Sequence, residues 1–312
     1  MILVVGMTPA WQQIVLLDGL RLGEVNRAQT VHWCASGKGI NVAIALHRLG
    51  MAHTLISPNG GLQASSMAAE AAAEGVHAHW LTTSQGRVCT TLLESNPVRT
   101  TELVENMPPL SPETVGAFWE TLDQLAPQAE LLVLTGSLPS GLDDGFYGEI
   151  LSRTGKPAVL DIRGSALMRC LAYRPHLVKP NREELEQTVR RPLFSETELL
   201  AAMRELNAAG AGWVVVSSGG GTLLASHAMS SWRITPPRVT VVNPIGCGDC
   251  LTAGLAAAVS ENLQRNEDRL SPLQLARAVA IASDNATQLL PARIDLARVA
   301  RLQAQVQVEQ LH

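Results

Sequence analysis

Short apolar runs rich in β-branched residues recur along the chain and alternate with segments that have helical spacing. Such alternation is typical of a mostly parallel sheet that is covered by helices on both faces. The pattern therefore predicts a doubly wound α/β fold. Its core strands are predicted at Leu3–Val5, Leu131–Leu134, Ala158–Leu160, Trp213–Val216 and Val239–Val242.

The helical segments lie between these strands and at the end of the chain. Two of them begin at Ser111 and Ser195, which are good N-caps because proline or glutamate follows in the first turn. A further helix is predicted to end near Gly50. The remaining predicted helices are Gln63–Glu74, Pro112–Leu125, Asp144–Ser152, Glu196–Ala209, Leu251–Val259, Pro272–Leu289 and Asp295–Val308.

Two regions, Ile14–Trp33 and Arg87–Val104, break this rhythm, because their short runs alternate with polar residues. We predict that they form a small separate sheet that projects from the main domain, with strands within 12–34 and 87–105. A small sheet cannot bury both of its faces alone. We therefore expect it to cover an active site, to pair with a second copy of the chain, or to do both.

The composition of the 312-residue chain is that of a globular protein, with 46% hydrophobic and 17% charged residues. The net charge of −4, without long runs of one sign, argues against nucleic acid or an anionic membrane as a partner. No apolar segment approaches the roughly 18 residues that span a bilayer. Met1–Gly6 has the pattern of a core strand and not of a signal peptide. With five cysteines, no disulfide framework is expected, and we expect a cytoplasmic protein.

The most informative segment, Asn243–Cys250, places two glycines and Asp249 between a β-branched run and an Ala/Leu-rich run. A strand is predicted to end there and a helix to begin at or near Asp249. The N–H groups of a helix N-terminus can hold a phosphoryl group, and a carboxylate there can take a proton from an attacking hydroxyl. An aspartate that only caps the helix is the alternative. Cys247 and Cys250 form a C-x-x-C pair, which leaves a redox or zinc site as a further alternative, although the other cysteines are isolated.

Three other segments carry candidate ligands. Gly37–Gly39, with its central lysine, brings backbone donors and a cation to a predicted helix start, which suits an anionic or polyhydroxylated ligand; a solvated lysine is the alternative. Asn181 and Glu184 have the spacing of a capping box, and their oxygens also suit the waters of a phosphate-bound Mg²⁺. Val214–Gly221 ends in glycines that let the backbone approach a nucleotide or form an ordinary hairpin turn.

Taken together and in order, five motifs resemble the ribokinase-like sugar kinases of the phosphofructokinase-B family. The likeness is greatest to its 1-phosphofructokinase and tagatose-6-phosphate kinase branch, and it extends from residue 1 to about residue 290. It implies a single ribokinase-like kinase domain over 1–312 with a β-sheet lid, and a homodimer formed through the lids. The motifs are Gly23–Arg27, Gly37–Ala43, Thr135–Pro139, Lys179–Leu185 and Val242–Asp249.

The resemblance also implies a role for each candidate residue. Asp249 is the expected general base, and the expected donors to the transferring phosphoryl group are Gly246, Cys247 and Gly248. The expected ATP ligands are Lys179, Ser217, Gly219, Gly221 and Asn285. The expected sugar ligands are Gln12, Gly37, Lys38, Asn41 and Ser137, with Arg27 and Arg87 on a substrate phosphate. The residues expected to position Mg²⁺ through water are Asn181 and Glu184.

Three departures from the family pattern stand out. Gln12 occupies the position of an aspartate that binds sugar hydroxyls; its amide can donate and accept hydrogen bonds but carries no charge. Pro244 and Cys247 replace a threonine and an alanine in the glycine turn. Arg163 follows Asp161 by two positions, where the branch has a small hydroxyl residue. Because Cys247 is placed at a helix N-terminus, we expect its thiol to ionise readily.

We therefore expect a kinase that uses ATP and Mg²⁺ to phosphorylate a phosphorylated ketohexose, with fructose 1-phosphate and tagatose 6-phosphate as the first candidates. Two alternatives stay open: a kinase for an unphosphorylated sugar or nucleoside, and a sugar-phosphate-binding protein that has lost catalysis. Arg27 and Arg87 argue against the first alternative. Asp249 and its flanking glycines argue against the second.

Overall fold

The computed structural model describes residues 1–228 and 230–311, which form a ten-stranded and a four-stranded sheet. The strands are β1 (Ile2–Gly6), β2 (Ala10–Leu17), β3 (Thr30–Ser36), β4 (His53–Gly60), β5 (Ala78–Thr83), β6 (Val88–Ser95), β7 (Val98–Val104), β8 (Leu131–Thr135), β9 (Ala158–Asp161), β10 (Leu177–Val178), β11 (Trp213–Val216), β12 (Leu223–His227), β13 (Ser230–Thr235) and β14 (Gln307–Leu311). The helices are α1 (Lys38–Arg48), α2 (Ala64–Ala73), α3 (Pro112–Leu125), α4 (Phe146–Thr154), α5 (Gly164–Cys170), α6 (Arg182–Val189), α7 (Glu196–Ala209), α8 (Cys247–Arg265), α9 (Pro272–Ala286) and α10 (Leu296–Gln303).

The large sheet confirms the predicted doubly wound fold. Its strands lie in the order β14-β13-β12-β11-β10-β9-β8-β1-β4-β5, and those from β11 to β5 are parallel. From β1 the chain proceeds to β4 and β5 on one side and later to β8, β9, β10 and β11 on the other. In such sheets a ligand crevice lies at the carboxyl ends of the strands, where the strand order reverses. The order reverses between β1 and β8, so this rule indicates the carboxyl ends of these two strands, next to which β9 also ends.

Two apolar layers cover the large sheet. One contains α1, α2, α8, α9 and α10, and the other contains α3 to α7. Because both faces are covered, the central strands read as continuous apolar runs; all residues of β1 and β8 are buried. No helix of the described residues is long and apolar enough to cross a membrane.

The structure corrects the strand predicted at Val239–Val242. This segment is irregular, and Val241 and Val242 are 53% and 45% exposed. It follows two prolines, which cannot donate to a sheet, and the Val242 N–H instead donates to the carbonyl of Ala286 at 2.7 Å. The β-branched composition was therefore misleading here, although the helix predicted after the glycine turn is present as α8.

The helix predicted at Asp295–Val308 is wrong in its second half. Asp295 caps α10, but this helix ends at Gln303, and the chain then adds β14 antiparallel to β13 at the edge of the large sheet. A sheet edge offers unpaired backbone groups that a following segment can satisfy. The pairing of β14 with β13 was not evident from local spacing.

The predicted small separate sheet is also confirmed, with strand order β3-β2-β6-β7. One face is buried around Ile14, Cys34 and Leu93, which pack against the segment after α9. The opposite face includes Trp33 and Leu103, which are 44% and 59% exposed. One face of this sheet thus packs against the rest of the chain, and part of the other is open.

Candidate active site

The N-terminus of α8 lies in a glycine turn whose shape requires glycine. Gly246 has φ 85°, and a Cβ on this residue would lie 2.8 Å from Cβ of Pro291. Cys247, Gly248 and Asp249 form the first turn of the helix. A Cβ on Gly248 would lie 3.7 Å from Nζ of Lys179, so an ammonium group faces the turn. The helix start therefore combines backbone donors with a cation.

Asp249 is buried in this first turn, with 7% of its surface exposed. Asn41 Nδ2 donates to Asp249 Oδ2 at 2.7 Å, and Ser36 Oγ donates to Asn41 Oδ1 at 3.1 Å. Burial raises the pKa of Asp249 to about 6, with Asp161 acting in the same direction and Lys38, Asn41 and Lys179 opposing it. A carboxylate with this pKa is ionised at neutral pH and is basic enough to accept a proton.

Asp161, at the carboxyl end of β9, is the centre of a charge network that the sequence did not indicate. Its Oδ1 lies 3.1 Å from Nζ of Lys179 and 3.3 Å from Nζ of Lys38. Its Oδ2 accepts hydrogen bonds from the hydroxyls of Thr135 at 3.3 Å and Thr252 at 3.2 Å. Burial opposes its ionisation, but the two lysines outweigh burial and lower the pKa of Asp161. An aspartate directly after a core strand was the signal that could have identified it.

Lys38 connects this network to the start of α6. Its Nζ lies 3.7 Å from Oε1 of Glu184, and Asp161 and Glu184 together raise the pKa of Lys38 against the effect of burial. Gly37, just before it, has φ 98°, and a Cβ there would lie 2.8 Å from Cα of Pro9. Gly37 thus packs closely against the segment before β2, and this contact fixes the position of Lys38 at the start of α1.

Asn181 and Glu184 form the predicted capping box of α6. Asn181 Oδ1 accepts from the N–H of Glu184 at 2.8 Å, and Glu184 Oε2 accepts from the N–H of Asn181 at 2.9 Å. Glu184 Oε1 is not part of this box and points to the side of Lys38. Among the described residues, no group of three or more His, Cys, Asp or Glu could hold a metal ion. The oxygens of Asn181 and Glu184, with Glu184 Oε1 outside the capping box, fit a metal that is held through water and substrate phosphates.

Two of the predicted nucleotide residues, Lys179 and Ser217, lie next to this helix start. Ser217 follows β11 and forms a bridge with Asn181. Gly219 and Gly221 lie in the exposed turn between the antiparallel strands β11 and β12, which confirms the hairpin geometry for this loop. Asn285 does not lie in this loop; it is buried beneath the glycine turn at the end of α9.

The predicted sugar-phosphate residues are spread over the small sheet and its loops. Gln12 is buried in β2, and its Nε2 donates to the hydroxyl of Thr91 at 2.7 Å. Arg87 donates to the backbone carbonyls of Thr8, Pro9 and Glu105 at 2.7, 2.9 and 3.0 Å.

Two further predicted sugar-phosphate ligands, Arg27 and Ser137, are exposed. Arg27 lies in the exposed loop between β2 and β3. Ser137 lies after β8, next to Gly136, whose added Cβ would be 3.7 Å from Cβ of Lys38. Ser137 is thus near Lys38, whereas Arg27 lies in a loop of the small sheet.

The thiol of Cys247 does not have the predicted character. Burial raises its pKa to about 11, so the expectation of a readily ionised thiol is wrong. Cys250 is fully buried, and burial raises its pKa as well. All five cysteines are free. At neutral pH the turn therefore carries neutral thiols beside the carboxylate of Asp249.

Solved structures of phosphofructokinases share this fold along nearly the whole chain. Escherichia coli phosphofructokinase-2 in complex with fructose-6-phosphate is 24% identical, with 97% of this chain and 98% of that chain covered and a TM-score of 0.83. The tetrameric inhibited form of that enzyme is 25% identical over the same shares, with a TM-score of 0.82. A possible 1-phosphofructokinase from Thermotoga maritima is 18% identical, with 100% and 99% covered and a TM-score of 0.85.

The sequence itself matches a known family over most of its length. The match to the pfkB family of carbohydrate kinases covers residues 1–288, which includes both sheets except β14. The chain therefore belongs to the pfkB family and is a carbohydrate kinase.

Proposed function

We propose that the protein transfers the γ-phosphoryl group of ATP to a hydroxymethyl group of a phosphorylated ketohexose. The observation that carries the proposal is the environment of Asp249, a buried carboxylate with a pKa of about 6 in the first turn of α8. The ammonium groups of Lys38 and Lys179 act on the same carboxylate. A base, cations and a helix N-terminus are the parts that in-line phosphoryl transfer requires.

In this reaction Asp249 is the general base. Asn41 holds Oδ2, while no hydrogen bond of the described residues occupies Oδ1, which is left to accept the proton of the sugar hydroxyl. As that proton leaves, the hydroxyl oxygen forms a bond to the γ-phosphorus, and the bond from this phosphorus to the β,γ-bridging oxygen breaks. ADP departs with the electron pair. The turn of Gly246, Cys247 and Gly248 donates to the phosphoryl oxygens as charge develops.

The nucleotide lies along the start of α6 and the loop after β11. Lys179 is 3% exposed and already paired with Asp161, so its ammonium is held in place before ATP binds. Ser217, Gly219 and Gly221 supply backbone and hydroxyl groups to the nucleotide from the exposed hairpin turn. Mg²⁺ bound to the ATP phosphates would neutralise their charge. Asn181 and Glu184 would hold its waters, with Glu184 Oε1 as the atom that the capping box leaves free.

The sugar lies between the small sheet and the part of the main domain that carries Lys38 and Asp249. Its hydroxyls are bound from the main domain by Gly37, Lys38, Asn41 and Ser137. From the small sheet, Gln12 binds through Oε1, since its Nε2 already donates to Thr91. Arg27 is the proposed phosphate ligand, because its guanidinium is exposed. The complex of Escherichia coli phosphofructokinase-2 with fructose-6-phosphate supports a phosphoketohexose as the substrate class.

Arg87 gives a specific reason to keep a second candidate, a kinase for an unphosphorylated sugar. All three guanidinium nitrogens of Arg87 donate to backbone carbonyls in the segments that precede β2 and follow β7, where the chain enters and leaves the small sheet. These bonds use three of the five guanidinium N–H groups, so only the remaining N–H groups of the two terminal nitrogens stay available to a phosphate. Arg87 therefore has a structural role that needs no phosphorylated substrate, and its presence alone does not decide between the two candidates.

We further propose that the small sheet is a lid and that two copies of the chain pair through it. Trp33 and Leu103, with Val31 at 42% exposure, present apolar surface on the open face of the sheet, and Trp33 stacks on Trp11. Exposed apolar patches of this kind on a small sheet are typical of interfaces. Sedimentation of the wild type and of Trp33→Glu would test the pairing, with a dimer expected only for the wild type.

The experiment that tests the function is ADP release by the purified protein with Mg·ATP and a panel of acceptors. The panel contains fructose 1-phosphate, fructose 6-phosphate, tagatose 6-phosphate, fructose, ribose and adenosine. We expect turnover with one ketohexose phosphate and its loss in Asp249→Asn. Arg27→Ala should raise the KM for that sugar phosphate, whereas its effect on any unphosphorylated sugar should be small.

Two results would reject the proposal. Turnover confined to fructose, ribose or adenosine would favour the second candidate and remove the phosphate from the substrate. Binding of a sugar phosphate without turnover on any acceptor would identify a non-catalytic binding protein.

A further inference from the structure

The buried side chain of Asn285 lies directly beneath the glycine turn. It is at the C-terminal end of α9 and is 1% exposed. On one side is the segment from Ile245 to Cys250, and on the other is the loop that follows α9. The amide thus lies between two loops that are distant in sequence.

Both polar atoms of the amide are already engaged within the protein. Nδ2 donates to the carbonyl of Ile245 at 2.8 Å and to Sγ of Cys247 at 3.2 Å. Oδ1 accepts from the N–H of Ala292 at 2.6 Å and from Sγ of Cys250 at 3.5 Å. An ATP ligand needs a free donor or acceptor, and these contacts leave Asn285 without one.

These bonds act on the residues that give the turn its shape. Ile245 comes before Gly246, and Cys247 follows it, so Nδ2 contacts both sides of the left-handed glycine. A Cβ on Gly246 would also lie 3.4 Å from Asn285 Oδ1 and 2.8 Å from Pro291. Buried hydrogen bonds of this kind fix geometry, because breaking one leaves an unsatisfied polar group.

We infer that Asn285 is a positioning residue that sets the conformation of the Gly246–Gly248 turn for phosphoryl transfer, and not a ligand of ATP. The inference rests on the proposed function of the turn. The side chain contacts the carbonyl before Gly246 and the thiol after it, and joins both to the loop after α9. Its loss should therefore change the alignment of the turn donors in the transition state more than it changes ATP binding in the ground state.

The test compares Asn285→Ala with Asn262→Ala. Asn262 is a matched control, because it is a 3% exposed asparagine at the far end of α8 whose Nδ2 donates to the carbonyl of Arg269 at 2.8 Å. Steady-state kinetics, the ATP dissociation constant and the thermal midpoint are measured for both variants. We expect kcat to fall about tenfold or more in Asn285→Ala, with the KM for ATP within about twofold of the wild type. Asn262→Ala should lower the thermal midpoint and leave kcat unchanged.

A second variant, Asn285→Asp, isolates the donor. Aspartate keeps the acceptor for Ala292 but has no N–H for Ile245 or Cys247, so kcat should fall as in Asn285→Ala. Wild-type kcat in this variant, or a higher KM for ATP with unchanged kcat in Asn285→Ala, would overturn the inference. A wild type that turns over no sugar would reject the proposed function. Independently of turnover, a tenfold weaker ATP dissociation constant in Asn285→Ala would reject the positioning role.

Discussion

Two buried aspartates of the candidate active site, Asp161 at the end of β9 and Asp249 in the first turn of α8, differ in the charges around them. Asp161 contacts two lysines and two threonine hydroxyls, and its pKa is lowered. Asp249 has one amide donor to its carboxylate, and burial raises its pKa to about 6. The same residue type therefore has a lowered pKa in one position and a raised pKa in the other.

The comparison shows how the site separates binding from proton transfer. Asp161 keeps Lys38 and Lys179 together, although they are far apart in sequence and their ammonium groups repel each other. Asp249 is close enough to both lysines to be partly stabilised by them, but it is not their direct partner. Pairs of titratable groups whose surroundings move their pKa values apart are typical of acid–base sites.

The largest expected effect is that of Asp249→Asn on turnover. The amide cannot accept the hydroxyl proton, so kcat should fall by about 10³-fold, within the range seen for general bases. The variant should be at least as stable as the wild type, because it removes a buried carboxylate whose ionisation is opposed by burial. ADP release and the urea midpoint together measure both effects. A kcat within tenfold of the wild type would contradict the role of Asp249.

Asp161→Asn should mainly lower the free energy of unfolding, whereas Asp249→Asn mainly lowers kcat. Without this carboxylate, the buried ammonium of Lys179 has no counter-charge at 3.1 Å, and removal of one partner of a buried pair costs about 3–5 kcal/mol. The free energy of unfolding in urea measures the loss. A stability equal to that of the wild type would show that Asp161 does not hold the lysines together.

The matched control is the double variant Asp161→Asn/Lys179→Met. It removes the buried cation together with its partner, while Lys38 keeps its contact with Glu184. We expect the double variant to be more stable than Asp161→Asn alone. An equally unstable double variant would locate the damage elsewhere in the packing.

A smaller effect is expected in the pH dependence of stability. The pKa of Asp249 is raised from 3.8 to about 6, so its contribution to stability is fully present below pH 3.8 and is lost as the pH rises to about 6. Asp161, with a lowered pKa, stabilises the fold above 3.8 and loses this contribution as the pH falls through its folded value. We predict that the stability of Asp249→Asn relative to the wild type increases between pH 4 and 6 and is constant above pH 7. Urea unfolding over this range measures it, and a constant difference would contradict the raised pKa.

Local patterns were sufficient for the parts of the site that lie close together in sequence. The glycine turn before α8, the capping box of Asn181 and Glu184, and the small separate sheet all follow from spacing and residue type. The turn and the capping box depend on backbone groups within a few residues, for which capping and turn preferences are strong. The small sheet joins β2 to the distant β6, but the polar alternation of its strands distinguished them from the core strands. These elements were predicted and are present.

The remaining features depend on contacts between distant segments. Asp161 and Lys38 are 123 positions apart, and only the pairing of β9 and β8 next to β1 brings them together. Val239–Val242 has strand composition but no partner strand in the sheet, and β14 pairs with β13 despite a helical pattern. The bonds of Asn285 likewise connect α9 to the turn before α8. Residue type alone carries no information about such partners.

The role of Asp249 as the general base is tested most directly by the pH dependence of the single-turnover rate of phosphoryl transfer, measured between pH 5 and 8. We expect the rate to fall below about pH 6, because Asp249 becomes protonated there. Asn41 lowers the pKa of Asp249 through its hydrogen bond, so in Asn41→Ala the same fall should begin at a higher pH. A rate that is constant from pH 5 to 8, or a fall that stays at the same pH in Asn41→Ala, would contradict Asp249 as the general base.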